Sequence, residues 1–247
     1  MRILCLLAVL TLGACAAQPS SGGVAAADEP TLKLADAAMA GGAPEVALNV
    51  ANAVLREHPE DVAALVEEGA ALAALGRDDQ AALGFQRALG LQPASREARI
   101  GLGRLELRSD PAEAATLFDE VLRNRPNDVT ALIDHGIAED LQGRHQVAED
   151  SYRAALAAQP DNMAAEVDLA LSLAIAGHAR RAVGMLQPLA AANGANGGAN
   201  RRVADDLAVA LAISGQTHAA SEILAPELSD NQIAAAIAAY RELQPTP

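Results

Sequence analysis

The chain has no tryptophan, two phenylalanines, two tyrosines and two cysteines among 247 residues. Both cysteines, Cys5 and Cys15, fall within the first fifteen positions, so the remainder can build neither a disulfide framework nor a thiolate metal site. Basic residues are few: 18 Lys and Arg stand against 32 Asp and Glu, a formal charge of −14. Nucleic acid is a poor partner for such a surface, because phosphate binding needs a basic face. No Gly-rich phosphate loop, HExxH, GxSxG or paired-cysteine motif occurs. The sequence thus offers no support for an enzyme, a cofactor or a bound metal. Alternating β-branched stretches are missing as well, and the composition is 51% hydrophobic, rich in alanine and only 2% aromatic. Such a composition predicts an all-α chain with closely approaching helices.

The scarce aromatics share one register. Phe85, Phe118 and Tyr152 each stand eight residues before a proline (Pro93, Pro126, Pro160), at intervals of 33 and 34 residues. A fixed period of this size marks stacked supersecondary units. Glycines recur in the same frame at Gly42, Gly76, Gly143, Gly177 and Gly215, where the first helix of each unit needs a left-handed stop. The third unit lacks this glycine and is one residue short. It carries "SDPAEAA" instead, which predicts Asp110 as N-cap, Pro111 as first helical residue and Glu113 closing a capping box.

The N-terminal fourteen residues, "MRILCLLAVLTLGA", combine one Arg with an apolar run too short to span a bilayer and a small-residue end. They read as a signal peptide over 1–14. Residues 15–28, rich in Ala, Ser, Gly and Pro, read as a flexible tether reaching roughly 20 Å. Leu12-Gly13-Ala14-Cys15 resembles a bacterial lipobox. That resemblance implies lipidation of Cys15, cleavage before it and a stable anchor of several acyl chains. Residue 16 is Ala rather than Asp; by analogy with known lipoprotein sorting, this implies the outer membrane, facing the periplasm.

Aligned on the aromatic register, the chain falls into six units that resemble tetratricopeptide repeats, each a pair of antiparallel helices. The family's small residue at position 8 is Ala35, Gly69, Gly103, Gly136, Ala170 and Ala208; its alanine at position 20 is Ala47, Ala81, Ala114, Ala148, Ala182 and Ala220. The resemblance implies a right-handed superhelix, an α-solenoid. Repeats one to five occupy 29–192, a Gly/Asn-rich insertion 193–200, and repeat six with a capping helix 201–247. Small residues at 8 and 20 are expected to face each other where the helices cross, and position 24 to plug the gap between units. Pro188 and Pro226 should kink or shorten the second helices of units five and six. Ser229 and Gln232 should box the N-terminus of the final helix.

In this fold, positions 5, 9, 12 and 13 of each first helix line a concave groove. The expected partner-binding residues are Val66, Ile100, Arg104, Ile133, Ile137, Val167 and Leu171, with Leu32, Leu141 and Ile175 in the same register and Arg108 beside Arg104. Exposed apolar patches mark binding surfaces. The alternative is that this side packs on neighbouring first helices or on the C-terminal part. His135 and Glu139 form an i,i+4 pair that reads as helix packing rather than a metal or acid–base site. "HARRA" (178–182) reads as a solvated turn. Lys at position 5 and Asn at 9, which clamp a peptide carboxylate in some relatives, are absent.

The lipobox, "LALSLAIAGHARRAVGMLQPLAA" (169–191) and "RRVADDLAVALAISGQTHAASEILAPELSDNQIAAAIAAYREL" (201–243) resemble the tetratricopeptide lipoproteins of the Tad (tight adherence, Flp-type) pilus assembly system. The resemblance implies a scaffold that binds the secretin or other pilus components. A periplasmic adaptor or activator for cell-wall or outer-membrane assembly enzymes remains open beside it.

Overall fold

The structure, a computed structural model, describes residues 29–192 and 199–243. The signal peptide, Cys15, the tether and most of the Gly/Asn-rich insertion lie outside the described residues. Six helical hairpins follow one another: α1 (Glu29–Ala40) with α2 (Pro44–Glu57), α3 (Val62–Ala74) with α4 (Asp78–Leu91), and α5 (Arg96–Glu106) with α6 (Pro111–Asn124). Then come α7 (Val129–Leu141) with α8 (His145–Ala158), α9 (Met163–Leu173) with α10 (Ala179–Ala192), and α11 (Ala199–Ile213) with α12 (Thr217–Leu224). A last helix, α13 (Asp230–Glu242), packs on α11 and α12. Consecutive helices pack along the whole array, and each first helix also touches the next first helix. The first helices therefore form a continuous inner layer.

Each boundary has a local cause. All five register glycines adopt positive φ, between 70° and 92°, a region nearly closed to residues with a Cβ. The prolines stand two residues before an N-cap. After Pro59, Pro93, Pro126 and Pro160 come Asp61, Ser95, Asp128 and Asn162, whose side chains accept from the backbone N–H three residues on. A residue preceding proline is pushed out of the α region, and His58 accordingly sits at φ −129°, ψ 76°. Each proline thus stops one helix, and the polar residue after it starts the next.

Asp110 caps α6 as expected, accepting from Ala112 and Glu113 N–H at 3.1 and 3.0 Å. Glu113 does not close the box, because the Asp110 amide already donates to the Glu106 carbonyl at 2.8 Å. At the C-terminal end the Ser229 amide donates to Gln232 Oε1 at 3.0 Å and its hydroxyl to the same oxygen at 2.7 Å. Pro188 does not shorten α10, which runs on through it to Ala192. Leu186 and Leu189 pack on the core on both sides of the proline, and that burial offsets the lost hydrogen bond. Pro226 does follow a shortened helix: α12 has 8 residues where α8 has 14.

Every position-20 alanine is fully buried, and so are Phe118, Tyr152 and Leu186 at position 24. Over each position-8 glycine lies the ring at position 24 rather than the alanine. A Cβ would come within 2.7 Å of the Phe85 ring at Gly69, 2.7 Å of Phe118 at Gly103 and 2.5 Å of Tyr152 at Gly136. Gly101 of the following unit covers Phe85 from the other side, where a Cβ would lie at 2.4 Å. The aromatics are the plugs between units that their register predicts.

Candidate partner-binding face

The expected groove residues divide into two sets. Ile100 and Val167 are only 4% and 7% exposed and belong to the core; they are packing residues, which corrects their placement in an open groove. Val167 is enclosed by a cluster running from Ala148 to Ile233, because α11 packs against α9. Val66, Ile133, Ile137 and Leu171 are half-buried, each with one side on a core cluster. Leu141 is 57% exposed and Ile175 is half-buried. Ile137 with Leu141, and Leu171 with Ile175, are i,i+4 pairs at register positions 9 and 13 of neighbouring units. Together they present the apolar part of the inner face. Arg104 is exposed and donates from Nε to Asp134 Oδ2 at 2.7 Å.

A polar row on the same layer was missed in the sequence. Position 6 carries Asp134, Asp168 and Asp206 on α7, α9 and α11. Its signal is an acid at one register position in three successive units. Burial, and then the charges of Asp206, Asp134 and Asp140, push the Asp168 carboxyl up to about 6, with Arg202 opposing. Asp206 is raised by burial and by Asp205. Near the N-terminal end, Glu67 is pushed up to about 7 by burial and by the charge and hydrogen bond of Asp36. Asp140 collects three partners: the Tyr152 hydroxyl donates to it at 3.0 Å, the Ser172 hydroxyl at 2.8 Å, and His145 Nδ1 lies 2.8 Å away. The Tyr152 plug is thereby tied to the inner layer.

These carboxyls set a pH dependence. A folded-state value above the unfolded one means that the folded chain keeps a proton that the unfolded chain has released. For Asp168 the window runs from its ordinary 3.8 to about 6. Stability falls as pH rises across that window, and the full cost is present above it. Asp168→Asn should therefore stabilise the protein at pH 7.5 by about 1–2 kcal/mol, discounted for partial solvent contact. The difference should largely vanish near pH 4. Thermal melts of both proteins across this range check it; a variant less stable than wild type at pH 7.5 would rule out the ionised carboxylate as a cost.

His135 is packed as expected. Its Nδ1 is 2.9 Å from Ser151 Oγ, and its Nε2 is 3.4 Å from Asp119 and 3.6 Å from Glu139. Glu139 itself is clasped by Arg144, which holds its carboxyl below the ordinary range. Among the described residues no group of three or more His, Cys, Asp or Glu is gathered as a metal would need, and no helix is long and apolar enough to cross a membrane. The arrangement supplies a shaped, partly apolar surface.

The tetratricopeptide repeat profile matches residues 32–96 and 108–162. The uncharacterised protein y4yS of Sinorhizobium fredii is 35% identical over 107 residues, which are 43% of this chain and 58% of that protein. The match thus spans less than two thirds of that relative. Among solved structures, PilW, described as a widely conserved type IV pilus biogenesis factor, superposes with a TM-score of 0.67 at 25% identity, covering 81% of this chain and 93% of PilW. The tetratricopeptide protein TTC0263 of Thermus thermophilus gives 0.66 at 20% identity, over 73% and 99% of the two chains. MamA of Desulfovibrio magneticus gives 0.56 at 20% identity, over 68% and 96%. The fold is the all-α right-handed superhelix of tetratricopeptide repeats, with six hairpins and a closing helix among the described residues, a scaffold for protein–protein contacts.

Proposed function

Because the chain is an array of tetratricopeptide repeats, we propose that it is a lipid-anchored scaffold that gathers protein components while a Tad (Flp-type) pilus secretion apparatus assembles at the outer membrane. The secretin is the first candidate partner. The inner face carries the reading: Ile137, Leu141, Leu171 and Ile175 leave an apolar strip open on a rigid layer, and apolar anchors of this kind hold an extended or helical segment of a partner. The likeness to PilW supports the pilus role. So does the resemblance carried by the lipobox and by residues 201–243. Two acylation signals or more give stable attachment where one chain does not, which fits Cys15 as the anchor.

Capture of partners from detergent-solubilised envelopes, with the tagged full chain as bait, tests the role. Secretin or other pilus components are expected. Recovery of cell-wall synthesis enzymes in their place would overturn it. The anchor has its own test. Cys15→Ala should abolish incorporation of a clickable fatty acid, release the chain from the membrane fraction and lose pilus assembly. Equal labelling of wild type and variant would refute lipidation at Cys15.

A further inference from the structure

Between units two and three the inner layer has a notch. Its walls are small: Ala70 and Ala73 stand at positions 9 and 12 of α3, and Gly101 at position 6 of α5. At the next junctions the corresponding places hold Arg104, Leu107 and Asp134, then Ile137, Asp140 and Asp168. The space left over Phe85, between Met39 and Leu105, is about 330 Å³, the lower end of the range for ligand pockets. Apolar side chains form most of its lining.

Charge stands at the mouth. Arg104, near the end of α5, and Arg108, in the turn that follows it, are both exposed and both line the notch, as does Asp78. The Nε edge of Arg104 is engaged by Asp134. Arg108 has no ion-pair partner among the described residues. Two exposed guanidiniums beside one notch, in a chain of charge −14, are a local departure from the pattern of the whole, which functional sites tolerate and ordinary surface does not require. A guanidinium edge matches a carboxylate in shape as well as charge.

From this juxtaposition, and resting on the scaffold reading above, we infer that the notch receives a partner segment in which an aliphatic side chain is followed by side-chain carboxylates. The aliphatic group enters over Phe85 between Ala70, Ala73 and Gly101. The carboxylates meet Arg108 and the free edge of Arg104. Position 5 lysine and position 9 asparagine, which would hold a chain's terminal carboxylate, are absent here, so the acidic groups recognised are side chains within a segment.

Fluorescence anisotropy with the full chain in detergent tests this directly. The probe is a labelled, acetylated and amidated dodecapeptide with a Leu-Glu-Glu-Leu centre between Ser and Gly flanks. It should bind, weakly and less so in high salt. Versions with Gln for Glu, or Ser for Leu, should bind at least fivefold more weakly. Arg108→Glu should lose the acidic peptide and gain the version with Lys for Glu. Ala73→Leu should fill the notch and abolish binding while its thermal melt stays near wild type. The inference fails if the peptide does not bind, if the Gln version binds equally, if neither variant changes affinity, or if binding appears only with an uncapped C-terminal carboxylate. These outcomes are independent of the pilus role, whose failure would appear only in the envelope capture.

Discussion

Phe118→Ala is expected to cost about 3–5 kcal/mol, the usual range for emptying a fully buried aromatic site. Phe118 has no exposed surface. It is packed among Ile100, Ala114, Ala115, Val121, Ala131 and Ala138, residues drawn from α5, α6 and α7. Its ring lies over Gly103, and glycine and alanine neighbours have no side-chain length with which to collapse into the void. The loss should not be spread evenly. Each unit contacts only its neighbours, so protection from hydrogen exchange should fall in α5 to α8 and persist in α11 to α13. Leu83→Ala is the control: Leu83 is 60% exposed, and its truncation should stay within about 0.5 kcal/mol. Denaturant melts of the two variants decide the matter. A Phe118→Ala midpoint no lower than that of Leu83→Ala would mean that the ring is not the plug between units three and four.

A single charge separates the buried half of the inner face from its open half. Val167→Asp should cost several kcal/mol and drive the chain toward aggregation, since it places an unpaired carboxylate in the core between α9 and its neighbours. The Asp134 and Asp168 carboxyls already strained by burial on this layer add to the cost. Leu141→Asp, one hairpin away at an exposed position, should leave the helical melt within about 0.5 kcal/mol of wild type. It should nevertheless reduce capture of envelope partners, because it removes an apolar anchor from the centre of the array, where binding energy concentrates. A folded Leu141→Asp protein that captures its partners undiminished would exclude this strip as the binding surface. A folded, stable Val167→Asp protein would instead show that the inner layer is more open than the burial of Val167 implies.

The elements were legible because their signals are local. Five glycines in one register position prescribe five left-handed helix stops, and all five take positive φ. Four prolines, each two residues ahead of Asp, Ser or Asn, prescribe where helices end and restart. The aromatic at position 24 needs only a small residue sixteen or fifteen positions earlier, and the period supplies it. Such features are decided by a residue and its own backbone, or by a contact repeated in every unit.

What remained hidden depends on contacts that differ from one unit to the next. Position 5 is apolar in five units, yet Val66 and Ile133 are half open while Ile100 and Val167 are closed. Glu113 looked like half of a capping box until the Glu106 carbonyl took the amide that it would have accepted from. The helix through Pro188 survives because leucines on both sides find a core that short-range pattern does not reveal. The repeat, its period and the boundaries of its helices can thus be read from the residues alone, since each rests on backbone geometry within a few residues or on a contact repeated in every unit. Which side chains of the inner layer are open to a partner, and which carboxyls burial forces up, follow instead from how the helices pack within a unit and against neighbouring units, which no local pattern specifies.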